Sequence, residues 1–185
     1  MNFPINLRLP ELSDGRDVNE LIARCHPLDR NSSYCNFLQC TYFSSTCIIA
    51  ESERKLVGWV SGFRSPHMDC QLFVWQVAVA PEARGRGLGL RMLDALVMRP
   101  ALAGITGMAT SISPGNDASW ALLQAFARRH DAELNHRPWL DRDIHFAGQN
   151  DSEHLVMITP RAGRFQTISE RTHDNKTPMP DYHSA

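Results

Sequence analysis

The stretch VWQVAVAPEARGRGLGLRML, residues 74–93, constrains the fold more than any other part of this chain. Its first half alternates with the two-residue period of a strand, so Val74, Gln76 and Ala78 are expected on one face and Trp75, Val77 and Val79 on the other. Pro81 interrupts it, and a loop dense in Arg and Gly follows. Leu88, Met92 and Leu96, flanked by Leu93 and Val97, then recur at the steps of one buried helical stripe. The predicted order is strand, basic glycine loop, helix.

The first N–H groups of a helix have no partner within it, and the aligned peptide dipoles place partial positive charge there. Gly85, Gly87 and Gly89 let the backbone curl its amides around an anion, so a phosphate-bearing ligand fits this position. The dinucleotide fingerprint GxGxxG and the nucleoside triphosphate loop GxxxxGK[ST] are both absent. The run Arg84-Gly85-Arg86-Gly87-Leu88-Gly89 reads instead as RxxGxG, the alternative being an exposed turn before an ordinary helix.

RxxGxG at the end of such a strand resembles the acyl-CoA pyrophosphate loop of the GNAT acetyltransferase superfamily. The resemblance implies acetyl-CoA as co-substrate and no metal. It assigns CoA contacts to Gln76, Val77, Val79, Arg84, Gly85, Arg86, Gly87 and Gly89, and to Asn116 before a later helix. It also implies a strand that splays from its neighbour, with backbone amides near Gln76–Val79 facing the thioester carbonyl.

A length of 185 residues suits one domain with a full core. A net charge of −1 gives no electrostatic case for nucleic acid or an anionic membrane. No apolar run is long enough to span a bilayer, and the first residues lack the basic-then-apolar order of a secretory signal, so a cytoplasmic location is expected. The five cysteines, Cys25, Cys35, Cys40, Cys47 and Cys70, form no CxxC pair, which favours scattered reduced thiols over a zinc site, a disulfide framework or a cysteine nucleophile.

In chain order, Ile5–Leu9 reads as a first strand, and Ser13 or Asp14 as the N-cap of a helix burying Val18, Leu21 and Ile22. The segment LDRNSSYCNFLQC, residues 28–40, starts as a polar loop and becomes a helix with Tyr34, Phe37 and Leu38 expected inward. Residues 47–51 and 55–64 form a hairpin softened by Gly58 and Gly62, and 72–80 a third long strand. A strand at 105–111, a helix starting near Asn116, and closing strands at 133–140 and 154–159 complete the pattern. The expected fold is α/β (α+β): a mixed, mostly antiparallel sheet of about six or seven strands flanked by about four helices. The domain is expected over residues 1–160, with 161–185 a poorly ordered tail.

LDRNSSYCNFLQC further resembles the LDxNSxYxYLLLC segment of the L-2,4-diaminobutyrate acetyltransferases, which make the N-acetyl intermediate of the compatible solute ectoine. VSGFRSP, LFVWQVAV, ARGRGLG, RMLDAL, SPGNDAS and the late DSEHL follow in that family's order. This implies acetylation of the 4-amino group of L-2,4-diaminobutyrate, a homodimer and a part in osmoprotection. The nearly neutral net charge agrees with a host that excludes salt and accumulates organic solutes. Other small amines, including polyamines, ornithine-like amino acids and aminoglycosides, or a non-catalytic CoA-binding module, are the alternatives.

Diaminobutyrate carries two ammonium groups and one carboxylate. By the resemblance, Asp29, Asn31, Tyr34, Trp75, Glu153 and His154 form its pocket. On their own, Asp29 could cap a helix, Tyr34 and Trp75 could be core, and Glu153 and His154 solvated loop. A free amine has a pKa near ~10, so something must take its proton at neutral pH. Glu153 is the first candidate base and Asp29 the second. His154 is the third, histidine being the side chain that changes charge nearest neutrality. Three departures from the family pattern stand out: Leu123 where many GNAT enzymes carry a Tyr acid, Asn36 in place of a pocket Tyr, and Gln149-Asn150 where a more basic or His-like residue is expected.

Overall fold

The computed structural model describes residues 4–68 and 70–166. Seven strands form one sheet: β1 Asn6–Arg8, β2 Ile48–Ser52, β3 Lys55–Arg64, β4 Gln71–Val79, β5 Gly107–Ile112, β6 Ala132–Leu140 and β7 Glu153–Pro160. Their spatial order is β1-β2-β3-β4-β5-β7-β6, antiparallel throughout except for β4 beside β5. Helices α1 Gly15–Arg24, α2 Ser33–Thr41, α3 Leu88–Val97 and α4 Asp117–Arg129 flank it. The mixed, mostly antiparallel sheet with four helices is the expected one. The tail expected beyond residue 160 is described as far as Gln166, and Phe165 is buried against Phe126 and His130. Residues 167–185 lie outside the described residues.

Strand alternation fails at one informative place. Ser61 of β3 pairs with Gln76, but the next residue, Gly62, pairs with Val74, leaving Trp75 as an extra residue on β4. Paired residues share a face and successive ones alternate, so Val74 and Gln76 are buried on opposite sides of the sheet. The single-face grouping of Val74, Gln76 and Ala78 is therefore corrected by a β-bulge, which periodicity alone does not reveal. Gly62 makes the bulge possible, because a Cβ there would come within 2.7 Å of the Phe73 carbonyl oxygen. Its role is close backbone approach rather than a soft strand. A second bulge lies between Pro138 and Leu140 and leaves Trp139 unpaired against β7.

Asp14 occupies the expected N-cap position of α1 but makes no side-chain capping bond there. The buried Asp14 carboxylate instead accepts two hydrogen bonds from Arg8, at 2.7 and 2.8 Å, and one from the Glu11 N–H, while Arg8 also reaches Glu51. Burial opposes its ionisation, yet the Arg8 guanidinium and the Glu11 amide hold its carboxyl below the usual range. Helix α2 is capped by Ser32, which accepts from the Cys35 N–H.

That helix turns a polar face inward: Asn36 and Gln39 are buried, Phe37 and Leu38 are half-buried, and Tyr34 is 70% exposed. Asn36 donates to Asn19 of α1 at 3.0 Å and accepts from Asn31 at 3.3 Å. Asn31 also donates to Gln76 Oε1 at 3.0 Å, and Gln76 Nε2 donates to the Asp29 carbonyl at 2.9 Å. Buried amides require partners, so this chain of four residues fastens the α1–α2 loop onto β4 at the bulge. Asn36 is thus a structural link rather than a pocket wall.

Candidate active site

Pairing between β4 and β5 covers Gln71, Leu72 and Phe73 and stops there. From Val74 onward the two strands have no ladder between them, and the bulge at Trp75 begins just beyond that point. A cavity of about 1360 Å³ occupies this cleft. Its lining includes Trp75, Gln76 and Val77 of β4, Ala109–Ile112 of β5, Gly115 and Asn116 before α4, and Asp29 and Asn31 of the α1–α2 loop. The expected splay between neighbouring strands, at a bulge, is present.

One end of the cavity has an aromatic wall. Phe63 stacks on Phe73 with ring centroids 5.3 Å apart, Trp75 meets Phe63 edge-on at 6.4 Å, and Trp139 meets Phe73 edge-on at 6.2 Å. Both tryptophans are the unpaired residues of bulges, which aim large side chains away from the regular alternation. Aromatic faces attract ammonium groups, and Asp29, Asp151 and Glu153 line the same cavity. Phe63, Phe73 and Trp139 were missed by sequence reading; their common face depends on the β3–β4 and β6–β7 registers.

Strand alternation separates two of the expected site residues. Glu153, Leu155 and Met157 of β7 line the cavity, whereas His154 does not. His154 stacks with His136, their Nδ1 atoms 3.1 Å apart, and both rings meet Trp120 of α4 on the other side of the sheet. The pleat thus sends the His154 ring away from the cavity that Glu153 lines. Tyr34 is likewise outside the cavity lining. Asp29, Asn31, Trp75 and Glu153 are brought together.

The connection Asp141–Ser152 is folded over the cavity rather than loose. Asp141 accepts from the Asp143 and Ile144 amides at 2.8 and 2.9 Å, which hold its carboxyl below the ordinary range. The Arg142 N–H donates to Ser152 Oγ at 2.9 Å, and the Gly148 N–H donates to the Arg142 carbonyl. Arg142, Phe146, Gln149 and Asn150 consequently reach the cavity lining.

The glycine loop lies elsewhere. Arg84, Gly85, Arg86 and Gly87 are exposed at the start of α3 and do not line the cavity. Gly85 and Gly87 have φ of +73° and +68°, values that favour glycine, and a Cβ on either would meet nothing within 4 Å. The loop therefore offers open backbone at a helix N-terminus. Arg84 Nε donates to the Val79 carbonyl at 3.1 Å, tying the loop to the end of β4. Gly89 is buried where α3 meets Leu122 of α4, a packing position instead of an open one. Asn116 caps α4 by accepting from the Ser119 N–H at 3.1 Å. Leu123 is buried and lines the cavity. Among the described residues no group of three or more His, Cys, Asp or Glu is arranged for a metal ion, and no helix is long and apolar enough to cross a membrane.

The family model of the acetyltransferase (GNAT) family matches residues 16–127. The chain is 46% identical over 156 residues to the L-2,4-diaminobutyric acid acetyltransferase of Vibrio cholerae serotype O1, covering 84% of this chain and 90% of that relative. It is 40% identical over 165 residues to the enzyme of the same name from Halomonas elongata, covering 89% and 83% respectively. Among solved structures, the diaminobutyrate acetyltransferase EctA of Paenibacillus lautus, in complex with its substrate L-2,4-diaminobutyric acid and coenzyme A, superposes with a TM-score of 0.83. It is 38% identical and covers 86% of this chain and 96% of that one. The Escherichia coli ribosomal-protein-S18-alanine N-acetyltransferase shares the fold, with a TM-score of 0.60 at 16% identity over 85% of this chain and 94% of that one. A split sheet with an open glycine loop at a helix N-terminus and an acidic, aromatic cavity thus joins with identity over most of the sequence: the chain belongs to the L-2,4-diaminobutyrate acetyltransferase family of the GNAT superfamily.

Proposed function

We propose that this enzyme moves the acetyl group of acetyl-CoA to the 4-amino group of L-2,4-diaminobutyrate by direct attack in a ternary complex. The observation that carries this reading is one cavity lined by Asp29, Glu153 and an aromatic wall, running into the cleft where β4 and β5 part. The Arg84–Gly87 loop receives the pyrophosphate and the cleft receives the thioester arm. Asp29 and Glu153 hold the ammonium groups against Trp75.

Glu153 takes the proton of the 4-ammonium group, directly or through water, and Asp29 is the second candidate. The freed nitrogen attacks the thioester carbonyl carbon, and its developing oxyanion rests on β4 amides after Trp75. The C–N bond forms, the C–S bond breaks, and the thiolate takes a proton from water or from the reacting ammonium. Leu123 has no proton to give, which supports that route. Asn31 acts by fixing the Asp29 loop to Gln76. A cytoplasmic homodimer serving ectoine synthesis and osmoprotection completes the reading.

Thiol release from acetyl-CoA, measured with diaminobutyrate beside ornithine, lysine and spermidine and with the acetylated position determined, tests it. Preference for diaminobutyrate with acetylation at the 4-amino group is expected. Preference for another amine reassigns the acceptor, and acetyl-CoA binding without turnover favours a non-catalytic module. Light scattering of the purified protein checks the dimer.

A further inference from the structure

A substrate with two ammonium groups and one carboxylate needs a cation as well as anions. The carboxylates Asp29, Asp151 and Glu153 line the cavity, and the cationic or titratable nitrogen side chains among its described lining are Arg142 and His67. Gln149 and Asn150, also in the lining, bring no charge. Arg142 therefore stands out as the one permanently charged cation there.

Its backbone is held and its head group is available. The main chain is fixed on both sides, through its N–H to Ser152 Oγ and its carbonyl from the Gly148 N–H, each at 2.9 Å. The guanidinium side chain is 60% exposed, and its recorded ion pair is with Asp143 at 4.0 Å, a long and solvated contact worth little. The Arg142 backbone also runs close to that of a cavity carboxylate residue. Leu140 pairs with Glu153, and Arg142, two residues on, is bonded to Ser152, the neighbour of Glu153. In diaminobutyrate the carboxylate is only a few bonds from either ammonium group, so a cation that holds it must lie among the carboxylates that hold the amines. A planar guanidinium matches a carboxylate with two parallel hydrogen bonds.

We propose that Arg142 binds the α-carboxylate of the amino-acid substrate and makes the enzyme prefer it to a diamine without that group. This rests on the functional reading above. The discriminating pair is diaminobutyrate and 1,3-diaminopropane, which has the same two amines at the same spacing and no carboxylate. In the full-length enzyme, Arg142→Gln is expected to lower kcat/KM for diaminobutyrate roughly 10- to 100-fold, mainly through KM. Diaminopropane turnover and the KM for acetyl-CoA should stay within about twofold, and Arg142→Lys should fall between, since it keeps charge but loses the planar fork. Equal losses for both amines would show that Arg142 only shapes the loop and would overturn the proposal. Unchanged discrimination in Arg142→Gln would overturn it while leaving the acetyltransferase reading intact. A wild-type enzyme that acetylates neither amine would remove the reading and the proposal together.

Discussion

At the start of α3 the consecutive residues Arg84–Gly87 supply an entire open-backbone loop, whereas the acidic, aromatic end of the cavity takes Asp29 from the α1–α2 loop, Phe63 from β3, Trp75 from β4, Trp139 from β6 and Glu153 from β7. The loop depends on local dihedral angles and a helix terminus. The acidic, aromatic end depends on two bulges, a strand register and a chain of buried amides. Local features survive being read one at a time. Assembled ones exist only when distant strands find the correct register.

The largest expected effect strikes the assembled end. Glu153→Gln should lower kcat by roughly 10²- to 10⁴-fold, as removal of a general base does, with the KM for acetyl-CoA unchanged. Steady-state kinetics with both substrates varied would show it, and a parallel rise in the acetyl-CoA KM would erase the distinction between the two ends. At the loop, Gly87→Val forces a β-branched residue into a positive φ of 68° at the N-cap of α3. Strain of about 1–2 kcal/mol should raise the acetyl-CoA KM about tenfold while leaving the order of amine preference intact.

Asn36→Ala touches no ligand but strips partners from Asn19 and Asn31. It should cost about 1–3 kcal/mol in chemical denaturation and weaken diaminobutyrate more than acetyl-CoA. Asp14→Asn should destabilise by a similar or smaller amount at neutral pH. Because the folded Asp14 carboxyl lies below its ordinary value of 3.8, its contribution is fully present above that pH and fades as pH falls through the folded value. Melting curves should therefore separate wild type and Asp14→Asn at pH 7 and converge under strong acid.

The smallest effect is a chemical probe of the same end. Burial pushes the Cys40 and Cys47 thiols up to about 12, so alkylation at pH 8 should spare both and modify the exposed Cys70. Asn36→Ala, by loosening α2, should speed alkylation of the buried Cys40 relative to wild type.

Much of this was legible in the residues. Strand β4, the glycine loop and α3 follow from two periodicities and a cluster of glycines, and the segments around Asp29, Trp75 and Glu153 carried the family resemblance. What misled were neighbours. Tyr34 belongs to the matching segment, yet α2 turns Asn36 and Gln39 inward and leaves Tyr34 exposed. His154 follows Glu153 directly, yet the pleat sends it to Trp120 and His136. The acidic residues of the connection 141–152 suggested an enclosed pocket, but not that Asp141 and its amide contacts would fold the connection into a cavity wall.

The amino-acid sequence by itself determined the order of elements, the glycine loop before α3 and the acid and aromatic residue types at hand, because dihedral preference, helix termini and hydrophobic period act over a few residues. Tertiary structure decided which side chains meet. An extra residue at Trp75 and another at Trp139 reverse the alternation on their strands, and the end of the β4–β5 ladder at Phe73 opens the cleft. Those outcomes depend on pairing between segments far apart in the chain, where a one-residue difference in register exchanges the faces of the sheet.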